Sequence, residues 1–225
     1  MSSNTPRASG SAFSLIELMI VMAIIGIIAA IAVPQFLTYK VRAHNSGTEA
    51  LCKQIVNSES ALNADLGCWG RSATENLFTL ITAPGGSGRG ETLTGWDGSI
   101  VPATRSVTGA LITGGHVNPA GSDTRISAVG FAVPRGLDAV ASTTGGLPGG
   151  LPLNASFQII TQAMDGNRAF GADSELSDVL FYVQNDAWQG LTGIRANSPR
   201  ISSTSVDFQG QDGGGAPTAT WRVLQ

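Results

Sequence analysis

A single carboxylate inside an apolar segment is the residue in this sequence best suited to a specific charge interaction. Residues 13–33 read FSLIELMIVMAIIGIIAAIAV, in which 18 of the 21 residues are apolar and Glu17 is the one acid. A charge in such a segment costs about 2.5–3.5 kcal/mol at the centre of a membrane and less near its edge. A neighbouring cation would offset that cost. A cut just before Phe13 would supply one, because it would free an α-amine at the tip of the helix.

The apolar segment that carries Glu17 is long enough to cross a membrane. Twenty-one helical residues span ~32 Å, the thickness of the hydrocarbon core of a bilayer. The segment can be interpreted as a cleaved signal peptide, as a plain anchor, or as a membrane segment that later packs against copies of itself. A plain anchor gains nothing from an acid, unless the acid lies at the membrane edge and reaches water. An acid that pairs with a neighbouring copy would set the axial register of two featureless helices, which favours the third interpretation.

The sequence FSLIELMIVMAIIGIIAAIAVPQF, residues 13–36, resembles the N-terminus of a type IV pilin. The shared features are an initial Phe, an acid four residues later, a Gly, a Pro and two following aromatics: Phe13, Glu17, Gly26, Pro34, Phe36 and Tyr39. The resemblance implies that residues 1–12 are a class III leader, which a prepilin peptidase removes between Ala12 and Phe13. Ala12 stands where the family normally has Gly.

The resemblance also implies roles for residues beyond the cut. Phe13 would be N-methylated, and Glu17 would be the acid needed for methylation and for docking an incoming subunit. Gly26 to Pro34 would lose helicity when subunits assemble into a filament. Helix propensities support this loss of helicity, because Gly disfavours a helix by about 1 kcal/mol and an interior Pro by about 3 kcal/mol.

The helical pattern continues after Pro34 as one apolar face. That face repeats at intervals of three or four residues, the period of an amphipathic helix, and comprises Leu51, Ile55, Ser58, Leu62 and Leu66. Gly67 suits a left-handed cap. We therefore expect one helix from about Phe13 to Leu66. Residues 13–36 are its membrane or filament-core segment, and residues 37–66 are an amphipathic segment that continues into a head.

Residues 67–225 have the composition of a turn-rich β head, with 26 of the 29 glycines. No second strong helix is available for crossovers, so the sheet should be antiparallel, with one face on the helix. The fold class is α+β. Residues 67–99 are predicted to be mainly loop, with a short helix at 73–81, and residues 165–178 are predicted to be a hairpin-like connection. The predicted strands are 106–113, 125–133, 155–164, 179–184, 201–208 and 218–224.

The head contains two less specific patterns, a pair of cysteines and a group of oxygen-bearing side chains. Cys52 and Cys68 could form a disulfide outside the cytoplasm. A helix continuous to Leu66 would hold the two residues too far apart, so a disulfide requires the helix to bend back. Otherwise the two thiols stay free or pair with other groups. Asp165, Asn167 and Asp173 offer oxygen ligands for Ca²⁺, although such residues in turns usually bind their own backbone. We expect no metal and no cofactor. No catalytic or phosphate-binding motif occurs, so no enzyme is expected.

These features predict a filament subunit. By resemblance, the precursor would lie in the bacterial inner membrane with its head outside the cytoplasm and then join an extracellular pilus for adhesion, twitching motility or uptake. Its implied partners are copies of itself, the prepilin peptidase and methyltransferase, an inner-membrane assembly platform and minor pilins. The formal charge of −3 argues against direct nucleic-acid binding. The alternatives are a pseudopilin of a type II secretion system and a membrane-anchored binding domain that does not polymerise.

Overall fold

The protein was studied as a computed structural model that describes residues 13–67, 69–73, 93–94, 110–117, 124–131, 133–143, 156–202 and 204–224. Its one α-helix among these residues, α1, spans Leu15–Leu66. The chain divides into two compact units, one ending at Lys40 and the other beginning at Val41. Helix α1 contributes residues to both units.

The helix in the second unit follows the predicted apolar face. Leu51, Ile55 and Leu62 are buried, and Ser58 is buried beside them. Gly67 ends the helix at φ +70°, and its N–H donates to the Asn63 carbonyl at 2.7 Å. The predicted helix and its glycine cap are therefore confirmed, and so is the buried face from Leu51 to Leu62.

The second unit contains a six-stranded antiparallel sheet in the order β11-β8-β7-β6-β5-β2. A three-stranded sheet, β1-β3-β4, and a two-stranded sheet, β10-β9, accompany it. The strands are β1 Arg71–Ala73, β2 Leu93–Thr94, β3 Ala110–Val117, β4 Thr124–Phe131, β5 Leu137–Thr143, β6 Phe157–Ala163, β7 Arg168–Asp173, β8 Phe181–Gln184, β9 Asp212–Gly214, β10 Ala219–Thr220 and β11 Arg222–Val223. A long N-terminal apolar helix and an antiparallel sheet make this an α+β pilin-like fold, as predicted.

The six-stranded sheet is covered on both faces. On one face, α1 packs Leu51, Cys52 and Ile55 against a cluster that includes Phe157 and Phe170. On the other face, the irregular segment after β8 packs against a second cluster whose members are Val140, Ile160, Ala169, Phe181, Val183, Trp188, Ala196, Phe208 and Trp221. Each large side chain in these clusters stabilises the fold by about 1.5–3 kcal/mol through burial.

Polar side chains hold the irregular segment on the sheet. The Gln162 Oε1 accepts hydrogen bonds from the backbone N–H groups of Arg195 and Ala196, and Asp138 Oδ2 accepts from Gly193. The Trp221 Nε1–H donates to the Asn197 carbonyl at 3.1 Å. The second face is therefore closed by side-chain bonds to a loop rather than by a second helix.

Several strand predictions are corrected by the structure. The predicted strands at 106–113, 125–133, 155–164 and 179–184 overlap β3, β4, β6 and β8, and 218–224 contains β10 and β11. The described part of 201–208 is not a strand, because Asp207 Oδ1 accepts the Ser202 N–H and Ser202 Oγ accepts the Thr204 N–H. β5 was missed, and β7 lies in what was predicted to be a connection. The loop prediction for 67–99 missed β1 and β2, and residues 74–81 of the predicted short helix lie outside the described residues.

Candidate functional site

The first unit exposes a continuous apolar surface. Phe13 is 87% exposed, and the large apolar side chains from Leu15 to Tyr39 are exposed with it. The helix contains an 18-residue window of mean hydropathy 2.8 and is long and apolar enough to cross a membrane by length and composition. A patch of this extent marks a surface that lipid or another protein covers.

Glu17 lies in the first turn of α1 and is held by a reciprocal pair of hydrogen bonds with Ser14. The Ser14 N–H donates to Glu17 Oε2 at 2.9 Å, and the Glu17 N–H donates to Ser14 Oγ at 3.2 Å. This is a capping box, in which two otherwise unpaired backbone donors are satisfied at once. The sequence signal for it, Ser-x-x-Glu before an apolar run, was present, but the sequence analysis did not use it.

The capping box fixes where the Glu17 charge lies. The positive end of the helix dipole stabilises an acid in the first turn. Ser14 occupies Oε2, and among the described residues Oε1 accepts no hydrogen bond. Glu17 is therefore an oriented carboxylate on an exposed helix tip, with one oxygen available to a cation from outside the chain. Ala12 lies outside the described residues, so the cut beside Phe13 stays a prediction.

Gly26 and Pro34 both lie within continuous helix. No atom outside the helix backbone lies within 4 Å of a Cβ built on Gly26, and Pro34 is an interior helical residue. The Thr38 hydroxyl donates to the Pro34 carbonyl at 3.1 Å. Pro34 has no N–H to donate to the Ala30 carbonyl one turn earlier. The loss of helicity between these residues in a filament stays a prediction.

Of the two cysteines, the described residues include Cys52. Cys52 carries a free thiol and is completely buried in the core between α1 and the sheet. Because α1 is continuous to Leu66, the alternative in which the helix bends back does not apply. Cys68 lies outside the described residues, so its pairing stays a prediction.

The three oxygen-bearing residues singled out in the sequence are not brought together. Asp165 pairs with His44 across 3.7 Å, and Asn167 exchanges hydrogen bonds with Asn45 and donates to Asp186. Asp173 lies at the other end of β7, about 17 Å along the strand. The weak Ca²⁺ candidate of the sequence is therefore not one site in this structure.

Asp173 instead belongs to a cluster with Glu175 and Asp207, whose oxygens lie within 4.8 Å of one another. Burial, with the neighbouring Asp173 and Glu175 charges, raises the pKa of Asp207 to about 7, and burial also raises the pKa of Glu175. Hydrogen bonds engage the four oxygens of Asp173 and Asp207, from the N–H groups of Leu176, Asp207, Ser202 and Gln158. No local sequence pattern predicts this cluster, because Asp207 is 34 residues away from Asp173.

Glu59 is a second acid that the sequence did not single out. It lies within α1 and is completely buried. Its Oε2 accepts the Gly70 N–H at 2.7 Å, and its Oε1 is buried without a hydrogen bond. Glu59 therefore joins the helix to the chain that follows it, beside Trp69, which packs edge-on against Phe157.

Comparison with known proteins gives similarity at the N-terminus. Residues 8–33 match the family model described as the prokaryotic N-terminal methylation motif. The chain is 45% identical over 56 residues to the type IV major pilin protein PilA of Myxococcus xanthus, a match that covers 25% of this chain and 24% of that protein. No solved structure matches the chain. The segment that carries Phe13 and Glu17 is therefore similar to a methylated, pilin-type N-terminus, and the match spans about a quarter of the relative's length.

Proposed function

We propose that the chain is a structural subunit of a type IV pilus, polymerising through its apolar N-terminal helix into an extracellular filament. The observation that carries the proposal is the pairing of an exposed apolar helix with an oriented Glu17 carboxylate, inside a segment that matches the N-terminal methylation motif. The precursor would lie in the inner membrane after synthesis. In the filament, neighbouring subunits would then cover the apolar helix surface that lipid covers in the precursor.

The Glu17 carboxylate supplies the specificity of this assembly. Moving apolar side chains from lipid into a helix bundle changes little hydrophobic free energy, so packing and polar contacts must distinguish correct from incorrect neighbours. The free α-amine of Phe13 on an incoming copy would pair with Oε1 of Glu17, while Ser14 holds Oε2. Processing by a prepilin peptidase and methyltransferase would generate that amine. The assembly platform, minor pilins and an adhesive, motile or uptake role belong to the same proposal.

The test compares two neutralising substitutions on the same helix. Glu17→Gln should abolish sheared extracellular filaments and leave processed monomer in the membrane, because the docking charge is lost. The control, Glu49→Gln, removes an acid that forms an i,i+4 pair with Lys53 at 2.6 Å and should leave filaments intact. Mass spectrometry of wild-type filaments should find this chain as the main component, starting at methylated Phe13. Normal filaments with Glu17→Gln, or an intact leader, would contradict the proposal.

The same experiment separates the two alternatives. A pseudopilin would share the methylation motif but would be found in a periplasmic filament beside a secretion system, not in sheared extracellular fibres. A membrane-anchored binding domain that does not polymerise would display its head equally well with Glu17→Gln.

A further inference from the structure

An open depression on the second unit is lined by two arginines and a tyrosine. It has a volume of about 580 Å³, and its lining includes Arg168, Tyr182, Gln209 and Arg222. Arg222 lies directly opposite Tyr182 in the β8–β11 register, so the two side chains share one face of the sheet. Arg168 lies on the same face in β7, opposite Gln184. Arg168 and Arg222 therefore lie on the same face of the sheet as Tyr182, on the two strands that pair with β8.

The Arg168 guanidinium is held in place by an aromatic ring and an amide. Its Cζ lies 5.1 Å from the centre of the Tyr182 ring, and its Nε–H donates to Gln184 Oε1 at 2.9 Å. Among the residues that the structure describes, neither Arg168 nor Arg222 forms an ion pair with a carboxylate. The ring contact and the Nε bond restrict the guanidinium, and among the described residues its terminal N–H groups donate no hydrogen bond. A fixed planar fork of this kind binds a carboxylate or phosphate in bidentate geometry.

A second depression of about 490 Å³ adjoins the first and shares Tyr182 and Arg222 with it. Its lining adds amides, hydroxyls and one acid: Gln184, Asn185, Asp186, Thr218 and Thr220. The Asn185 amide is already bonded to Pro217 and Ala187, and Gln184 Oε1 accepts from Arg168. The Gln184 Nε2 group and the exposed Thr218 and Thr220 hydroxyls are left to bind a ligand rich in hydroxyl groups. The Asp186 carboxylate would repel a polymer that carries a negative charge on every unit. The two depressions together form one groove, which is larger than a single phosphate group would fill.

We propose that this groove binds a carboxylated saccharide, with the carboxylate between Arg168 and Arg222 and the sugar hydroxyls along the amide-lined part. This inference deepens the adhesive role proposed above by naming a ligand class. The binding event itself involves only the second unit, so it does not depend on polymerisation.

The test measures binding of 3′-sialyllactose, a trisaccharide with a single carboxylate, to the full chain in detergent micelles by isothermal titration calorimetry. Binding should be seen with the acid and should be lost with its methyl ester. Arg222→Gln and Arg168→Gln should each weaken it by at least about tenfold, the loss expected for a charge-assisted pair. The control, Arg200→Gln, removes an exposed arginine outside the groove and should leave affinity unchanged.

Other results would overturn the proposal. These are an absence of binding, equal binding of the methyl ester, equal loss with Arg200→Gln, or competition by inorganic phosphate at the same concentration as the saccharide. If the two groove substitutions destabilise filaments and leave saccharide binding unchanged, the occupant is a carboxylate of a second copy. Glu17→Gln should bind saccharide normally even where filaments are lost, so failure of the pilus proposal and failure of this one are distinguishable.

Discussion

Asp207 shows how one residue can make the second unit sensitive to pH. It is 4% exposed and lies beside Asp173 and Glu175, so ionisation places a further negative charge in a buried acidic cluster. Its pKa is raised from 3.8 to about 7, mainly by burial. Between these two pH values the unfolded chain releases the proton and the folded chain keeps it. The stability that the protonated form contributes is therefore present below about pH 4 and is lost as the pH rises to about 7.

We predict that the free energy of unfolding of the wild-type chain falls by about 2 kcal/mol between pH 5 and pH 8 because of this group. Asp207→Asn removes the ionisation and should make the pH dependence shallower, although it also loses the bond from Gln158. Urea denaturation followed by tryptophan fluorescence at several pH values would measure both. Asp178→Asn, at an exposed acid, should keep the wild-type slope; an identical slope for Asp207→Asn would contradict the prediction.

Single residues differ in how far the sequence reveals them. The spacing of Ser14 and Glu17 is a local pattern, so their capping box can be read from four consecutive residues. Glu59 and Asp207 could not be predicted in the same way. Their environments are built by contacts with Gly70 and Asp173, which the fold brings close.

Among the elements, the sequence predicts α1 and β6 well but misses β5 and β7. The buried face of α1 repeats with a helical period, which is visible in any window. β5 and β6 are buried at every position, because α1 covers one face of the sheet and the irregular segment covers the other. Such strands lack the alternation that indicates a half-exposed strand. β5 was missed because Asp138, Ser142 and Thr143 are buried polar residues that resemble loop composition.

Gly171 in β7 shows how closely the irregular segment approaches the sheet. A Cβ at this position would lie 2.6 Å from Phe208 Cε1 and Cζ. We predict that Gly171→Ala lowers the free energy of unfolding by about 1–3 kcal/mol, because the Phe208 ring is buried between Phe181 and Trp221 and has little room to move. Thermal or urea unfolding would measure the change.

The matched control is the same substitution in α1. A Cβ on Gly47 would meet only Leu137 Cδ1, at an ordinary 3.9 Å, so Gly47→Ala should stabilise the helix by about 0.5–1 kcal/mol. The two substitutions should therefore have opposite signs. If Phe208→Leu is combined with Gly171→Ala, the loss should be less than additive, since the clash is removed. Strictly additive losses would show that the Phe208 contact is not the cause.

At the scale of the whole molecule, folding and assembly use different parts of the chain. The helix residues buried in the second unit run from Asn45 to Leu62, all after Val41. The described residues before Lys40 are exposed in the chain by itself and contribute apolar surface rather than a core. Sequence composition placed the boundary between the apolar and amphipathic segments at residue 36, and that boundary stays a prediction. Composition could not predict the groove beside Tyr182, which depends on strand register.

A chain that begins at Val41 should therefore fold without detergent. We predict a soluble protein with a cooperative thermal transition, because it keeps the helix residues of the core; its helical far-UV circular dichroism per molecule should be weaker than that of the full chain, because residues 15–40 of α1 are absent. A chain that begins at Ser60 lacks Leu51, Cys52 and Ile55, each of which is buried against the sheet, and should lose the cooperative transition. If the Val41 chain also melts without cooperativity, residues before it stabilise the head, and the assignment of folding and assembly to separate units is wrong. If it folds yet still forms filaments, the apolar segment is not what drives assembly.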